Sequence, residues 1–371
     1  MESLRGRALR IVPISRFGRP LLSVAELSER HVPEADANEL ERKNVQLRRW
    51  RTARPIVLRG FASSLLRHEI AAMARWTRLL AALRKPRTLE RFLSERLGPA
   101  AILRAPELDD PTRDLEPFFV RDTAVGRRLW IKSATLTSPT TNASARVRFS
   151  FGAEGDDDAS TDKALHESVG RLARRCLPLA DALAQSPVHA SALKHFVGAP
   201  VLLTQHIAYW NAPEGGALLH HDAFHEPSRS RQRGVCYVQL TGATIWLALR
   251  TADLVRHMRE FLAALEGGAA PWVVDEHFDG ARGFARITRR ARDADWLESE
   301  LTAPGCGAFS SVVNFAPEFL AVLIDAGHAY RLEPGDAILL PNFGHHRTCL
   351  HAVWCSGPKP GAALSLAMRA K

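Results

Sequence analysis

Residues 215–224 read GGALLHHDAF and residues 332–353 read LEPGDAILLPNFGHHRTCLHAV. In the first stretch, small and apolar residues lead into a His-x-Asp pair. On an extended strand, side chains two apart share a face, so the imidazole of His220 and the carboxylate of Asp222 converge while His221 turns the other way. Two imidazoles and one carboxylate on one side of a cation suit iron(II) and leave the opposite side open for oxygen and a cosubstrate. A His-x-Asp pair alone is a weak signal, because the third ligand has to come from a distant segment.

The second stretch supplies candidates for that ligand. A tight PGD turn is followed by the apolar run AILLP, a loop, and a histidine opening another short apolar run. His351, in LHAV, is the expected third ligand, since closure of a barrel brings such a strand edge back toward His220. His345 and His346, in the less regular GHHRT loop, are its rivals.

Outward from these segments the chain divides by pattern. RPIVLRG, residues 54–60, reads as a proline-initiated buried strand stopped by glycine. SSLLRHEIAAMARWTRLLAALRK, residues 63–85, has apolar residues at helical spacing and ends at Pro86. A second short helix is expected to start at or near Thr88, with Leu89, Phe92, Leu93 and Leu97 inward and Gly98 as its stop. Alternating stretches, FFVRD and RVRFSFG, follow an Asp/Pro-rich linker at 107–116. The acidic run EGDDDAS reads as a solvated turn and helix start, and residues 161–185 are predominantly helical.

From about Val201 short strands and turns take over: VLLTQHIAYW, GGALLHHD, GVCYVQLTG and ATIWLAL. A helical insertion beginning TADLVRHMREFLAALEGG, less regular toward residue 315, occupies 250–325. Strand-like sequence returns in AYRLEPGDAILLPN and GAALSLAMR. The fold class expected is mainly β with helical additions: a double-stranded β-helix of jelly-roll or cupin-like type over residues 54–371, preceded by a basic extension at 1–53.

Composition sets the outer bounds. The chain has 371 residues and 46% apolar residues, with 16 Phe and 8 Trp against 3 Tyr, enough to build a core. Its formal charge of +10 sits at the front, where residues 1–100 hold 21 Lys/Arg against 10 Asp/Glu and the remainder 29 against 30. Such a field attracts an acidic protein, a nucleotide or RNA, although an arginine-rich proteome and solvated helix faces are the simpler explanation. No Cys2His2 finger, Gly-rich nucleotide loop or RNP-like aromatic pair accompanies the charge, so there is no DNA-binding motif. Cys176, Cys236, Cys306, Cys349 and Cys355 form no CxxC pair, and no run reaches the roughly 18 apolar residues of a membrane span. A cytoplasmic protein with reduced thiols is expected.

In the order of these segments the chain resembles the JmjC-related, cupin-like branch of the iron(II)/2-oxoglutarate oxygenases. RPIVLRGF is similar to that family's amino-terminal strand and TLERFLSERLG to its following helix. GGALLHHD resembles the segment with the proximal ligands, VQLTGATIWLAL the Gln-x-x-Gly strand, and EPGDAILLP with LHAV the approach to the distal histidine. The likeness runs from about residue 54 to 369, loosely at 100–200 and 250–325. It implies iron(II) on His220, Asp222 and His351, 2-oxoglutarate chelating that iron, and O2 activation coupled to release of succinate. The carboxylate at 222 argues against the related halogenases.

One departure concerns the far carboxylate of 2-oxoglutarate, which many relatives pair with a lysine or arginine. Here the first expected position holds Thr244, whose hydroxyl lacks a cationic grip, leaving Lys359 and Arg369 as replacements. Gln205, Tyr209 and Asn211 precede the proximal ligands and are candidates for lining the cosubstrate pocket. Trp246 reads as core or as an aromatic at the barrel mouth against substrate, His221 and His225 as orienting groups or bystanders, and His328 as a turn or surface residue. The leading function is a hydroxylase acting on a protein or peptide side chain or a small molecule. Its alternatives are a non-catalytic interaction module and an iron cupin enzyme that does not use 2-oxoglutarate; oligomeric state stays open.

Overall fold

The computed structural model of the protein describes residues 11–16, 19–25, 39–67, 79–81, 86–98, 102–104, 115–122, 127–136, 146–153, 163–213, 215–222 and 232–370. His225, the acidic run at 154–160 and the centre of the helix-like stretch at 68–78 lie outside the described residues.

Among the described residues, a two-stranded hairpin, two larger antiparallel sheets and their helices make up the architecture. The large sheet runs β3 (Ile56–Leu58), β13 (Ala337–Pro341), β10 (Gln232–Thr241), β15 (Gly361–Ala370), β8 (Val201–Asn211), β7 (Arg146–Ala153), β6 (Arg127–Leu136), β5 (Leu115–Asp122) and β4 (Ile102–Arg104). The small sheet runs β12 (Ala329–Leu332), β11 (Ala243–Arg250), β14 (Cys349–Ser356) and β9 (Gly216–His220).

Strand parity explains how the layers stack. β11 is buried at every position from Ala243 to Leu249, which a sheet with one wet face does not permit. Trp246 and Ala248 pack between the sheets with Val235, Tyr237, Ile338 and Leu340 of the large sheet. Ile245, Leu247 and Leu249 face the other way, into helices Thr251–Glu266, Ala294–Thr302 and Pro317–Asp325. On the large sheet Cys236, Val238, Leu339, Leu364 and Leu366 face outward into helices Lys163–Cys176, Leu179–Gln185 and Pro187–Val197. Apolar residues of those helices recur at three and four, as Leu165, Val169, Leu172 and Ala173 do, so each covers a sheet with one stripe.

The amino-terminal segments are tied to this frame by polar contacts. Asp336, in the PGD turn, accepts from the Gly60 N–H at 2.8 Å and the Glu333 N–H at 3.0 Å and pairs with Arg59, fixing β3 against β13. Ser186 caps helix Pro187–Val197. The His189 ring meets Ser186 Oγ through Nδ1 at 2.6 Å and the Phe61 carbonyl through Nε2 at 3.0 Å.

The amino-terminal and inserted segments depart in part from expectation. Within the basic extension, for which no strand was expected, Ile11–Arg16 (β1) and Arg19–Ala25 (β2) form an antiparallel hairpin before helix Glu39–Arg51; β-branched residues favour pairing once a partner is two residues away. The short helix, expected to start at or near Thr88, runs from Pro86 to Leu97, as proline suits a first helical turn. The segment to residue 315, read as less regular, is a succession of short helices, Pro271–His277, Gly280–Ala291, Ala294–Thr302 and Ser310–Phe315, whose short lengths hide their period. Among the described residues no single helix is long and apolar enough to cross a membrane.

Candidate metal centre

β9 pairs antiparallel with β14, with Gly216 opposite Trp354, Ala217 opposite Val353 and His220 opposite His351. Between the last two pairs β14 advances two residues and β9 three. That extra residue is a β-bulge, which re-aims the side chains beyond it. It turns Leu219 outward into the helical core, where its N–H donates to Asn314 Oδ1 at 2.8 Å. His220 thereby returns to the inner face. The strands touch closely here: a Cβ on Gly216 would stand 1.8 Å from the Val353 carbonyl oxygen.

Asp222 lies two residues past His220 but beyond the end of β9, so strand pleat alone does not aim it. Asn342, buried at the end of β13, donates from Nδ2 to the Asp222 backbone carbonyl. Its own N–H is bonded to the Arg233 carbonyl at 2.9 Å. His351 comes from the middle of β14.

The three side chains meet. One ligand atom from each of His220, Asp222 and His351 lies within 4.8 Å of the others. His220 Nε2 is 3.9 Å from Asp222 Oδ1, and His351 Nε2 is 3.6 Å from Asp222 Oδ2. Each ring's Nδ1 faces a backbone carbonyl, Leu218 at 2.7 Å for His220 and Cys349 at 3.3 Å for His351. Hydrogen bonds of this kind fix the tautomer so that Nε2 carries the lone pair. Burial, with His220 alongside, lowers the His351 pKa to about 4 against the opposing pull of Asp222, so its imidazole is neutral at ordinary pH. Neutral imidazoles and a carboxylate with converging lone pairs are a donor set that fits a divalent transition metal.

The triad opens on a cleft with about 460 Å³ of empty space, part of it continuous with solvent. Tyr209, Asn211, Tyr237 and Ser365 bring polar groups to its walls; Trp246, Val235 and Leu340 make it apolar. His220 and Asp222 side chains are 40% and 43% exposed, His351 only 6%, so the three ligands form one side of an open site rather than a sealed cage.

Of the residues singled out in the sequence, Tyr209 and Asn211 line this cleft and several others do not. Thr244 is buried in a hydrogen-bond chain, donating to Gln239 Oε1 at 2.8 Å and accepting from Trp246 Nε1 at 3.0 Å. Arg369 is 1% exposed and donates from Nε to Thr204 Oγ1 at 2.9 Å, four residues along β15 from Ser365. Lys359 is exposed in the turn between β14 and β15. Gln205 has φ of 54° where β8 and β15 slip register, so it serves the strand's irregularity rather than the cleft wall. No arginine or lysine lines the cleft among the described residues.

The rival histidines lie apart from the triad. His345 and His346 sit on a 3-10 turn, His345 against the His221 ring with centroids 4.8 Å apart and His346 paired with Glu298. His221 Nε2 meets the Thr302 carbonyl at 2.8 Å. His328, read as a turn or surface residue, is half-buried and faces His257 Nε2 at 3.0 Å. Tyr237 and Ser365 were missed; their parity within β10 and β15, opposite to Cys236 and Leu364, was the signal that places them inward.

No family model matches the chain, and no curated protein matches it in sequence. Solved structures similar to it include YcfD, a ribosomal oxygenase from Escherichia coli, at 11% identity and a TM-score of 0.25, covering 86% of this chain and 48% of that one. A structure of YcfD with cobalt and succinic acid gives the same values, and a further crystal structure of it gives 12% identity and a TM-score of 0.22 over 70% and 41%. The chain thus spans about half the length of these solved chains or less.

Proposed function

We propose that this chain is a non-haem iron(II)- and 2-oxoglutarate-dependent oxygenase, built on a double-stranded β-helix, that hydroxylates a side chain of a protein or peptide. The observation that carries the reading is the convergence of His220, Asp222 and His351 on one side of an open cleft. Held there, iron(II) would supply oxygen activation and a chelation point for the keto acid. Backbone carbonyls orient both imidazoles, and Trp246 with Leu340 and Val353 excludes water from one flank. Tyr209, Asn211, Tyr237 and Ser365 are assigned to the cosubstrate as neutral donors for its carboxylates. The exposure of two ligands favours a substrate presented from a larger surface over one swallowed whole.

A second reading follows from the absence of a cationic side chain in the described cleft wall: an iron enzyme that does not use 2-oxoglutarate. One experiment separates them. Under anaerobic conditions the iron(II)-loaded protein is titrated with 2-oxoglutarate while the metal-to-ligand charge-transfer band is followed, and succinate is measured after oxygen is admitted. A saturable band with succinate release supports the proposal. Iron binding with no band and no succinate selects the second reading, and no iron binding by folded protein overturns both.

A further inference from the structure

A second cleft, with about 510 Å³ of space partly open to solvent, lies where β11 ends and helix Thr251–Glu266 begins. Arg49, Arg54, Arg250 and Arg256 line it together with His328 and Tyr330. These four guanidiniums come from two distant stretches of chain, 49–54 and 250–256. Facing them is Asp253, 6% exposed, with Arg250 Nε at 2.9 Å, Arg54 at 3.7 Å and Arg256 at 4.0 Å. Burial works to raise the Asp253 pKa, but Arg250 and Arg54, with His328, outweigh it and hold the carboxyl below its ordinary range.

Asp253 is therefore an anion already in use, and it is shared three ways. Arg256 also reaches Glu260 at 3.2 Å, and its Nη2 lies 2.9 Å from His257 Nε2. Arg49 donates to the Pro55 carbonyl at 3.1 Å and to the Tyr330 hydroxyl at 3.4 Å. Among the described residues, four guanidiniums against Asp253 in the lining and Glu260 beside Arg256 leave two positive charges in excess around one concavity. Repulsion among them is relieved most directly by an anion of two charges, and forked guanidinium donors match the oxygens of a phosphoryl group. The space also falls in the range of small-molecule sites.

We propose that this cleft binds a phosphate-class dianion carried by a small molecule, with Arg49, Arg54 and Arg256 as its principal ligands and Asp253 holding the arginines in place. This site is separate from the triad and does not depend on the function assigned to it. The competing account is a purely structural tie that fastens Arg49 and Arg54 onto helix Thr251–Glu266.

The test is calorimetric titration of the full, metal-free protein at low salt with orthophosphate, pyrophosphate and a nucleoside 5′-diphosphate, using wild type, Arg54→Gln, Arg256→Gln and, as a charge control, Arg259→Gln. Arg54 and Arg256 side chains are 46% and 52% exposed, so these variants should fold. The expected result is one saturable site, with each cleft substitution weakening binding about tenfold and Arg259→Gln leaving it unchanged. Tighter binding of the nucleotide than of pyrophosphate marks a nucleotide site, and the reverse an inorganic one. Absence of saturable binding by all three probes, or equal weakening by the control, overturns the proposal.

Discussion

The imidazole of His351 lies over the indole of Trp246, with ring centroids 5.6 Å apart and planes 29° from parallel. The two are diagonal neighbours on β14 and β11, since Trp246 is directly opposite Val353. Trp246 is in turn held by its Nε1 bond to Thr244, and Gln239 Oε1 accepts from both Thr244 and the Tyr237 hydroxyl. A buried polar chain thus sets the plane against which a metal-binding ring rests.

Trp246→Phe keeps an aromatic face beside His351 and is expected to retain cation binding. Trp246→Ala leaves a cavity there and should cost about 3–5 kcal/mol of stability, with a clear loss of cobalt(II) affinity. Urea unfolding and cobalt titration check both; equal cobalt affinity in the alanine variant and wild type would show that the stack does not orient His351.

Asp222→Ala and His351→Ala should each abolish stoichiometric cobalt(II) binding, whereas His345→Ala and His346→Ala should retain it, because those rings engage His221 and Glu298. Metal content after dialysis decides the matter. Cobalt lost on replacing 345 or 346 but kept on replacing 351 would move the third ligand.

Asn342 touches no metal-binding atom; it holds the Asp222 carbonyl. Asn342→Ala should therefore lower cation affinity by about 10–100-fold while leaving the number of sites at one. Titration distinguishes this from a merely structural role, in which stability falls and affinity does not.

Gly216 has no room for a methyl group against the Val353 carbonyl. Gly216→Ala should force β9 from β14 and destabilise the fold by about 1–3 kcal/mol or more. Amide exchange should become faster at residues 217–220 and 351–354; unchanged protection there would count against so tight an approach.

Burial holds the His189 pKa below its ordinary 6.5, against the pull of the Phe61 carbonyl. In the window from about 6.5 down to the lowered value, the unfolded chain binds a proton that the folded chain refuses, so stability declines as pH falls. The contribution is fully present above about 6.5. His189→Gln should flatten the stability–pH curve in that window, measured as urea midpoints at several pH values; parallel curves would contradict it.

How much of this was legible depended on how narrowly chemistry restricts each position. RPIVLRG reads as a strand stopped by glycine and EPGDAILLP as a turn and a strand, because proline and glycine punctuate both; that the two pair, with Asp336 on the Gly60 N–H, is visible only in the structure. His220, Asp222 and His351 stood out because few residue types bind metals. β4, β6 and the β1–β2 hairpin did not, since strands depend on partners that local pattern does not announce. The bulge before His220 was equally hidden: in Leu218-Leu219 either leucine suits a core, and only pairing with β14 reveals which one turns outward.

That surplus residue makes the site depend on how β9 is matched to β14 as much as on which residues it contains. Pairing the same residues one for one, without that bulge, would keep every metal-binding side chain in the polypeptide yet set the imidazole at 220 opposite Leu350 and swing it into the helical wall. The product would be a chain with a complete inventory of donors and no place where they assemble.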